Sequence, residues 1–236
     1  MINNYTYIRN TCLLCRANCH QTPSLCDQCE ADLPRHDGEV CRCGLPVAAP
    51  ANSSIEQRNA AEMLPPLCGR CLHRPPPFDR LISPYRYQWP LDRLIPAYKY
   101  HRQLSLEPLL TSLWRQHPPK HLPHALVAIP LHWQRHWGRG FNQSLRLADT
   151  LSRHWNIPVI QALARTTPTR RQQGLSAKAR QKNVEHAFRC TEDVTGLHLA
   201  VIDDVVTTAA TVRAACQCLI EAGASATQVL ALARTC

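Results

Sequence analysis

The sequence predicts an α/β fold, a parallel sheet covered by helices on both faces, with a small cysteine-rich module in front of it. Two observations carry that expectation. From residue 125 onward, short apolar runs alternate with stretches of helical spacing, and strands separated by helices lie parallel because each helix carries the chain back to the edge it started from. Before residue 75 the cysteines fall in close pairs, Cys12-x-x-Cys15, Cys26-x-x-Cys29, Cys41-x-Cys43 and Cys68-x-x-Cys71. At 236 residues the chain has room for a domain of about 150 residues and a smaller unit beside it. Pro75-Pro76-Pro77 cannot continue a helix and favours a stiff, extended segment. The boundary is therefore placed there: a zinc-ribbon-like module over 1–75 and a domain over 76–236, divided into a connector or hood (76–124) and a core (125–236).

Taken in order, the first two cysteine pairs are separated by a ten-residue loop, and four thiolates in two short knuckles can close a tetrahedral zinc site. Cys19 and His20 lie inside that loop and could substitute for one ligand. The second group, Cys41, Cys43, Cys68 and Cys71, predicts another site, but the one-residue gap between Cys41 and Cys43 is tighter than usual. One of that pair alone could ligate, with His36 or His73 as a replacement. A zinc held by four thiolates has no open position for water, so both sites are expected to hold the fold rather than hydrolyse anything. They would replace a core too small to stand alone.

The apolar positions over 78–87 predict a strand or hairpin. Residues 91–100 have helical spacing through Leu94, Ile95 and Tyr98, and 106–114 read as a second helix. The core then alternates: a strand over 125–129, a helix over 142–155, a strand at 157–160, a buried strand over 197–202, a helix over 211–222 and a strand over 228–233. Ligands of such sheets bind beyond the carboxyl ends of the strands.

Composition narrows the class. An 18-residue apolar run able to span a bilayer is missing, and Met1-Ile2-Asn3-Asn4-Tyr5 lacks the charged start and apolar stretch of an export signal. A cytoplasmic location is expected. In a reducing cytoplasm thiols stay free, so the 13 cysteines read as metal ligands rather than disulfides. The excess of 27 Lys and Arg over 17 Asp and Glu gives a net charge of +10, enough to attract polyanions. It is clustered: between Leu131 and Lys182, Asp149 is the sole acid among Arg135, Arg139, Arg146, Arg153, Arg165, Arg170, Arg171, Lys178, Arg180 and Lys182. That favours an anionic ligand or a nucleic acid over a merely solvated surface.

The most specific signal follows the buried strand. His198-Leu199-Ala200-Val201-Ile202 runs directly into Asp203-Asp204-Val205-Val206-Thr207-Thr208-Ala209-Ala210-Thr211. Two adjacent carboxylates on a loop at a strand's carboxyl end repel each other unless something pairs with them, and ribose hydroxyls or a metal-bearing sugar phosphate would do so. Small residues and hydroxyls at the start of the next helix offer free amides and a positive dipole end to a phosphate. An acidic turn that only caps the helix is the plain alternative.

These residues resemble the motif for phosphoribosyl pyrophosphate (PRPP) of type I phosphoribosyltransferases, and the whole chain resembles the ComF/GntX family, which joins zinc-ribbon cysteines to such a domain. Further matching stretches are Cys68-Gly69-Arg70-Cys71, Ile129-Pro130-Leu131 and Arg139-Gly140-Phe141-Asn142-Gln143-Ser144, then Arg165, Thr169, Gln173, Leu175, Arg180, Asn183 and Phe188. The resemblance implies a type I phosphoribosyltransferase-like sheet and a link to DNA uptake in competence or to DNA utilisation. It implies a PRPP site at Asp203, Asp204, Thr207, Thr208, Ala209, Ala210 and Thr211, with Mg2+ bound alongside PRPP. It makes Arg135 and Arg139 a pyrophosphate loop, and Arg170, Arg171, Lys178 and Arg180 a lid that would exclude water. Two positions depart from the family pattern: Ala209 stands where glycine is usual, and Cys41-x-Cys43 is narrower than the family's pair.

Trp133, Trp137 and Phe141 alternate with arginines, which would allow base stacking beside phosphate contacts, although aromatics near a helix start commonly pack inward. Three functions follow. One is a binding protein of DNA uptake or utilisation that reads PRPP and contacts single-stranded DNA. Another is an active phosphoribosyltransferase releasing pyrophosphate, for which the sequence identifies no acceptor pocket and no catalytic residue. The third is a zinc-module adaptor for a DNA-translocating helicase or other competence proteins, with a vestigial PRPP site.

Overall fold

The cysteine pairs, the hood and the core form a continuous series of elements in a computed structural model that describes residues 10–19, 25–47, 66–101, 103–130, 141–166 and 187–236. Strands β1 (Asn10–Thr11) and β2 (Asn18–Cys19) pair antiparallel around the first knuckle, and helix α1 (Asp27–Ala31) follows. Helix α2 (Gly69–His73) carries the last cysteine pair into strands β3 (Leu81–Ile82) and β4 (Tyr85–Arg86). Helices α3 (Leu91–Tyr100) and α4 (Glu107–Arg115) precede β5 (Ala125–Ala128). Helix α5 (Gln143–Trp155) leads to β6 (Val159–Ile160), and β7 (Leu163–Arg165) pairs antiparallel with β8 (Phe188–Cys190). Strand β9 (His198–Val206), helix α6 (Ala210–Glu221) and strand β10 (Ala226–Arg234) complete the chain.

The main sheet runs β3-β10-β9-β5-β6 and is parallel throughout. Residues 78–87 do not form a hairpin as one sequence reading expects. Strands β3 and β4 each pair parallel with β10, Leu81 opposite Val229 and Tyr85 opposite Ala233. They act as one edge strand interrupted at Ser83-Pro84, since proline offers no amide to a ladder.

Side chains alternate across a strand, and the burial follows that rule. Leu126, Ala200, Ile202, Leu230 and Leu232 meet the residues of α3, α4 and α5 on one face, while Val127, Leu199, Val201, Val229 and Ala231 meet Val212, Ala215, Cys216 and Leu219 of α6 on the other. Helix α3 buries Leu91, Leu94, Ile95 and Tyr98, and α4 buries Leu109, Leu110, Leu113 and Trp114. Each such side chain contributes about 1.5–3 kcal/mol. The two cysteine groups sit differently. Cys12, Cys19, Leu25, Cys29 and Leu33 belong to the same buried cluster as Tyr85, Leu91 and Trp114, whereas Cys41, Cys43 and Cys71 form a small cluster of their own. Among the described residues no helix is long and apolar enough to cross a membrane.

Candidate functional site

The parallel sheet places a crevice where its connections diverge. From β5 the chain passes to α5 on one face, and from β9 it passes to α6 on the other. Between two such strands the loops part, leaving space beyond their carboxyl ends. Asn142 caps α5 by accepting from the amides of Ser144 and Leu145, and its own side-chain amide donates to the Ile129 carbonyl just after β5. The helix start is thereby pinned beside the crevice. Phe141 faces inward, 5.5 Å from the Tyr98 ring and under the Arg146 guanidinium, so it packs the hood instead of offering a stacking face.

Asp203 lines this crevice and Asp204 is buried next to it, both within β9 and not on a loop beyond it. The reason is β10, which stays paired past the acids: Ala231 lies opposite Asp203 and Ala233 opposite Val205. Asp204 is 2% exposed, and its Oδ1 receives the Lys99 ammonium at 2.8 Å and the Val205 amide at 2.7 Å, while Oδ2 is buried without a partner. Asp203 is half-buried, and its Oδ1 accepts from the Ser144 hydroxyl at 3.4 Å and the Asp204 amide at 3.0 Å. Burial, reinforced by the Asp204 charge and opposed by Lys99, pushes the Asp203 carboxyl up to about 8. For Lys99, burial works to lower the pKa, but the two carboxylates outweigh it and hold the ammonium charged.

Thr207, Thr208, Ala209, Ala210, Thr211 and Val212 curl around a cavity of about 30 Å3 that opens beside Asp203. Ala209 is the N-cap of α6 and supplies no side-chain cap. The Ala210 amide turns to the Thr208 hydroxyl at 3.4 Å. Amides at the first turn of a helix have no partner within it, so this loop presents donors and a positive dipole end to an anion.

Each cysteine group is built in the same way, with two thiols from a tight turn and two from the start of a five-residue helix. In the first, Arg16 at φ 62 closes the turn through its amide to the Cys12 carbonyl, and Cys26 and Cys29 come from α1. In the second, the Gly44 amide donates to the Cys41 carbonyl, and Cys68 and Cys71 come from α2. The ligand atoms of Cys12, Cys15, Cys26 and Cys29 lie within 4.8 Å of one another, as do those of Cys41, Cys43, Cys68 and Cys71. Cys15 and Cys26 Sγ are 3.6 Å apart, and Cys43 and Cys68 Sγ 3.8 Å. A tetrahedron with metal–sulfur bonds of about 2.3 Å has edges of about 3.8 Å, so both sets fit a metal such as zinc. Both Cys41 and Cys43 are in the second set, and His36, His73 and Cys19 are in neither. Burial raises the Cys29 and Cys71 thiols, and neighbouring cysteines add to it. For Cys12 burial acts in the same direction, but backbone amides outweigh it and bring the thiol down to about 6. Four crowded thiols of this kind ionise together only around a cation.

Lys99, Ser144 and Arg234 are the site residues that sequence reading missed. Lys99 follows Ile95 by four positions on the buried face of α3, and that spacing was the available signal. Arg135 and Arg139 of the expected pyrophosphate loop, Arg170, Arg171, Lys178 and Arg180 of the expected lid, and His20, Trp133 and Trp137 lie outside the described residues.

Comparison with known proteins decides the family. DNA utilization protein YhgH of Salmonella typhimurium is 37% identical over 233 residues, 95% of this chain and 90% of that protein. Competence protein F of Haemophilus influenzae is 30% identical over 236 residues, 94% of this chain and 96% of that one. The chain belongs to the ComF/GntX family. No protein-family model matches it. The adenine phosphoribosyltransferase structure from Leishmania tarentolae aligns at 11% identity and a TM-score of 0.38, covering 58% of this chain and 74% of that one. As in its ComF/GntX relatives' expected plan, a phosphoribosyltransferase-like parallel sheet follows two four-cysteine groups.

In this ComF/GntX chain the alanine at 209 adopts φ 62, the left-handed conformation that glycine enters without cost. The loop thus keeps the glycine shape despite the departure in sequence, at a strain of about 1 kcal/mol. Ala209→Gly is expected to raise stability by about that amount, read by thermal unfolding, and to leave ligand affinity no weaker.

Proposed function

We propose that this protein serves DNA uptake or utilisation by binding Mg-PRPP at the carboxyl end of β9 and single-stranded DNA through its basic segments. Asp203 and Asp204 hold the ribose hydroxyls, and the loop Thr207, Thr208, Ala209, Ala210 and Thr211 holds the 5′-phosphate. Arg135, Arg139, Arg170, Arg171, Lys178 and Arg180 meet the pyrophosphate that magnesium bridges. Each cysteine group holds a structural zinc, and the protein works in the cytoplasm. The relatives' names, DNA utilization protein and competence protein, support the role in DNA handling.

The observation that carries the ligand reading is the burial of two adjacent carboxyl groups against one lysine, which holds the Asp203 carboxyl up to about 8 and leaves Asp204 Oδ2 without a partner. A fold that needed only a capped helix would not keep so unfavourable a pair, and a ribose diol supplies the missing donors. The same point argues against a vestigial site. Calorimetric titration of the zinc-loaded protein with PRPP and magnesium, repeated with saturating single-stranded DNA, tests the reading. Micromolar PRPP binding that shifts when DNA is present is expected. Absence of PRPP binding in both titrations would overturn it, and pyrophosphate release with a defined base would make the protein an enzyme.

A further inference from the structure

Arg234 ends β10 and is almost fully enclosed, at 2% exposure. An arginine is buried only where its fork is satisfied, and here the acceptors are carbonyls from two distant parts of the chain. Its Nε donates to the Cys43 carbonyl at 3.1 Å, inside the second cysteine group. Its Nη1 donates to the Val206 carbonyl at 3.1 Å and to the Thr207 carbonyl, where the phosphate loop begins, and to Thr235 at 2.5 Å. The cysteine turn is pressed against this side chain. Gly44 has φ +77, and a Cβ there would stand 2.7 Å from Leu81 Cδ2 and 3.6 Å from Arg234 Cγ and Cδ.

The far end of the loop is tied to the same group. Arg213 lies one turn into α6, its amide bonded to the Ala209 carbonyl, and its Nη2 donates to the carbonyls of Arg74 at 2.6 Å and Pro75 at 3.0 Å. Those two residues directly follow α2, which supplies Cys71. The phosphate loop is therefore held at both ends by arginines that also bond to the backbone around the second cysteine group. The first group instead belongs to the core beneath the hood.

We propose that Arg234 and Arg213 are positioning residues that couple the second cysteine group to the phosphate loop, so that metal in that group sets the loop's shape. A metal fixes Cys41 and Cys43 and with them the Cys43 carbonyl. It also fixes α2 and the two carbonyls that follow. Losing the metal frees both anchors at once and releases residues 206–213 from two sides. The affinity part of this inference rests on the PRPP reading above; the loop-ordering part does not.

The experiment follows hydrogen exchange of the amides over 207–213 in zinc-loaded protein, in Cys68→Ser, which empties the second group, and in Cys26→Ser, which empties the first. Zinc content is measured on each. Exchange over 207–213 is expected to rise roughly tenfold or more in Cys68→Ser, and to stay near the parent rate in Cys26→Ser wherever that variant remains folded. Arg213→Ala removes a half-buried side chain without opening the core. It is expected to loosen the same amides while zinc content stays at the parent value, and Arg234→Lys, which keeps the charge but loses the fork, is expected to do so more strongly. PRPP affinity should fall in step with exchange. Unchanged exchange in both Cys68→Ser and Arg213→Ala would overturn the coupling. Increased exchange in a protein that never binds PRPP would leave the coupling standing and remove the ligand reading alone.

Discussion

Asp204→Asn is expected to destabilise the protein by about 3–5 kcal/mol, because it strands a charged lysine in the interior. The Lys99 side chain is 16% exposed, and Asp204 Oδ1 at 2.8 Å is its ion-pair partner. An amide oxygen can accept one hydrogen bond but cannot balance the charge. In a protein of this size the loss corresponds to a fall in melting temperature of roughly 6–20 °C. Lys99→Met alone should also destabilise, by leaving Asp204 buried without its counter-charge. The double variant Lys99→Met with Asp204→Asn should recover much of the loss, and that recovery in a double-mutant cycle separates a charge effect from damaged packing.

Asp203→Asn should do the opposite, although it sits next door. Burial and the Asp204 charge hold the Asp203 carboxyl up near 8, against an ordinary 3.8. Between those values the folded protein keeps a proton that the unfolded chain has released, so stability falls as pH rises across that window. Asparagine removes the slope and should raise stability at pH 8 by several kcal/mol, since each tenfold change in proton affinity is worth about 1.4 kcal/mol. Both variants should weaken PRPP by on the order of 100-fold, since each removes a carboxyl group that the diol would bind. The two acids are thus told apart by stability and joined by affinity. If both substitutions stabilised the protein, Lys99 would not be paired as it stands.

The contrast shows what sequence reading can reach. Leu91, Leu94, Ile95 and Tyr98 announce α3 by their spacing, and all four are buried. The apolar runs at 125–129, 197–202 and 228–233 become β5, β9 and β10 because a strand covered on both faces leaves no polar alternation to misread. The acids were legible as a pair, since adjacent carboxylates after a buried run are unusual. Their position inside β9 was not, because it depends on how far β10 extends beside them. Lys99 near a helix end reads as a cation favoured by the dipole, and nothing local reveals that its partner is Asp204. Arg234 is harder still: its acceptor at Cys43 is 191 residues away, and backbone carbonyls carry no sequence signature. The cysteine spacing gave the two quartets, yet the tight Cys41-x-Cys43 gap suggested a missing ligand that the turn at Gly44 in fact accommodates.

Emptying the first cysteine group should unfold far more than the module that contains it. Cys12 is 1% exposed and Cys29 7%, and both lie in the same buried cluster as Tyr85, Leu91, Trp114 and Leu232. The packing of the first group thus runs on into hood and sheet residues. Without metal, burial and neighbouring cysteines hold Cys29 protonated, and the turn and α1 lose the bond that joins them. Structural zinc sites supply folding free energy outright, about 10–16 kcal/mol in isolated zinc-finger peptides. Even half of that, about 5–8 kcal/mol, is comparable with the whole reserve of most domains of this size, about 5–15 kcal/mol. Cys29→Ser is expected to lower the melting temperature by more than about 10 °C. It should melt the hood together with the sheet in one transition, followed by near-ultraviolet dichroism of the buried Trp114. Cys71→Ser, in a group with a small cluster of its own, should leave that transition largely in place and act on the phosphate loop. Equal effects of the two substitutions on the main transition would mean that the cysteine groups share one structural role; unequal effects in this order would mean that one metal holds the hood on the sheet and the other shapes the ligand loop.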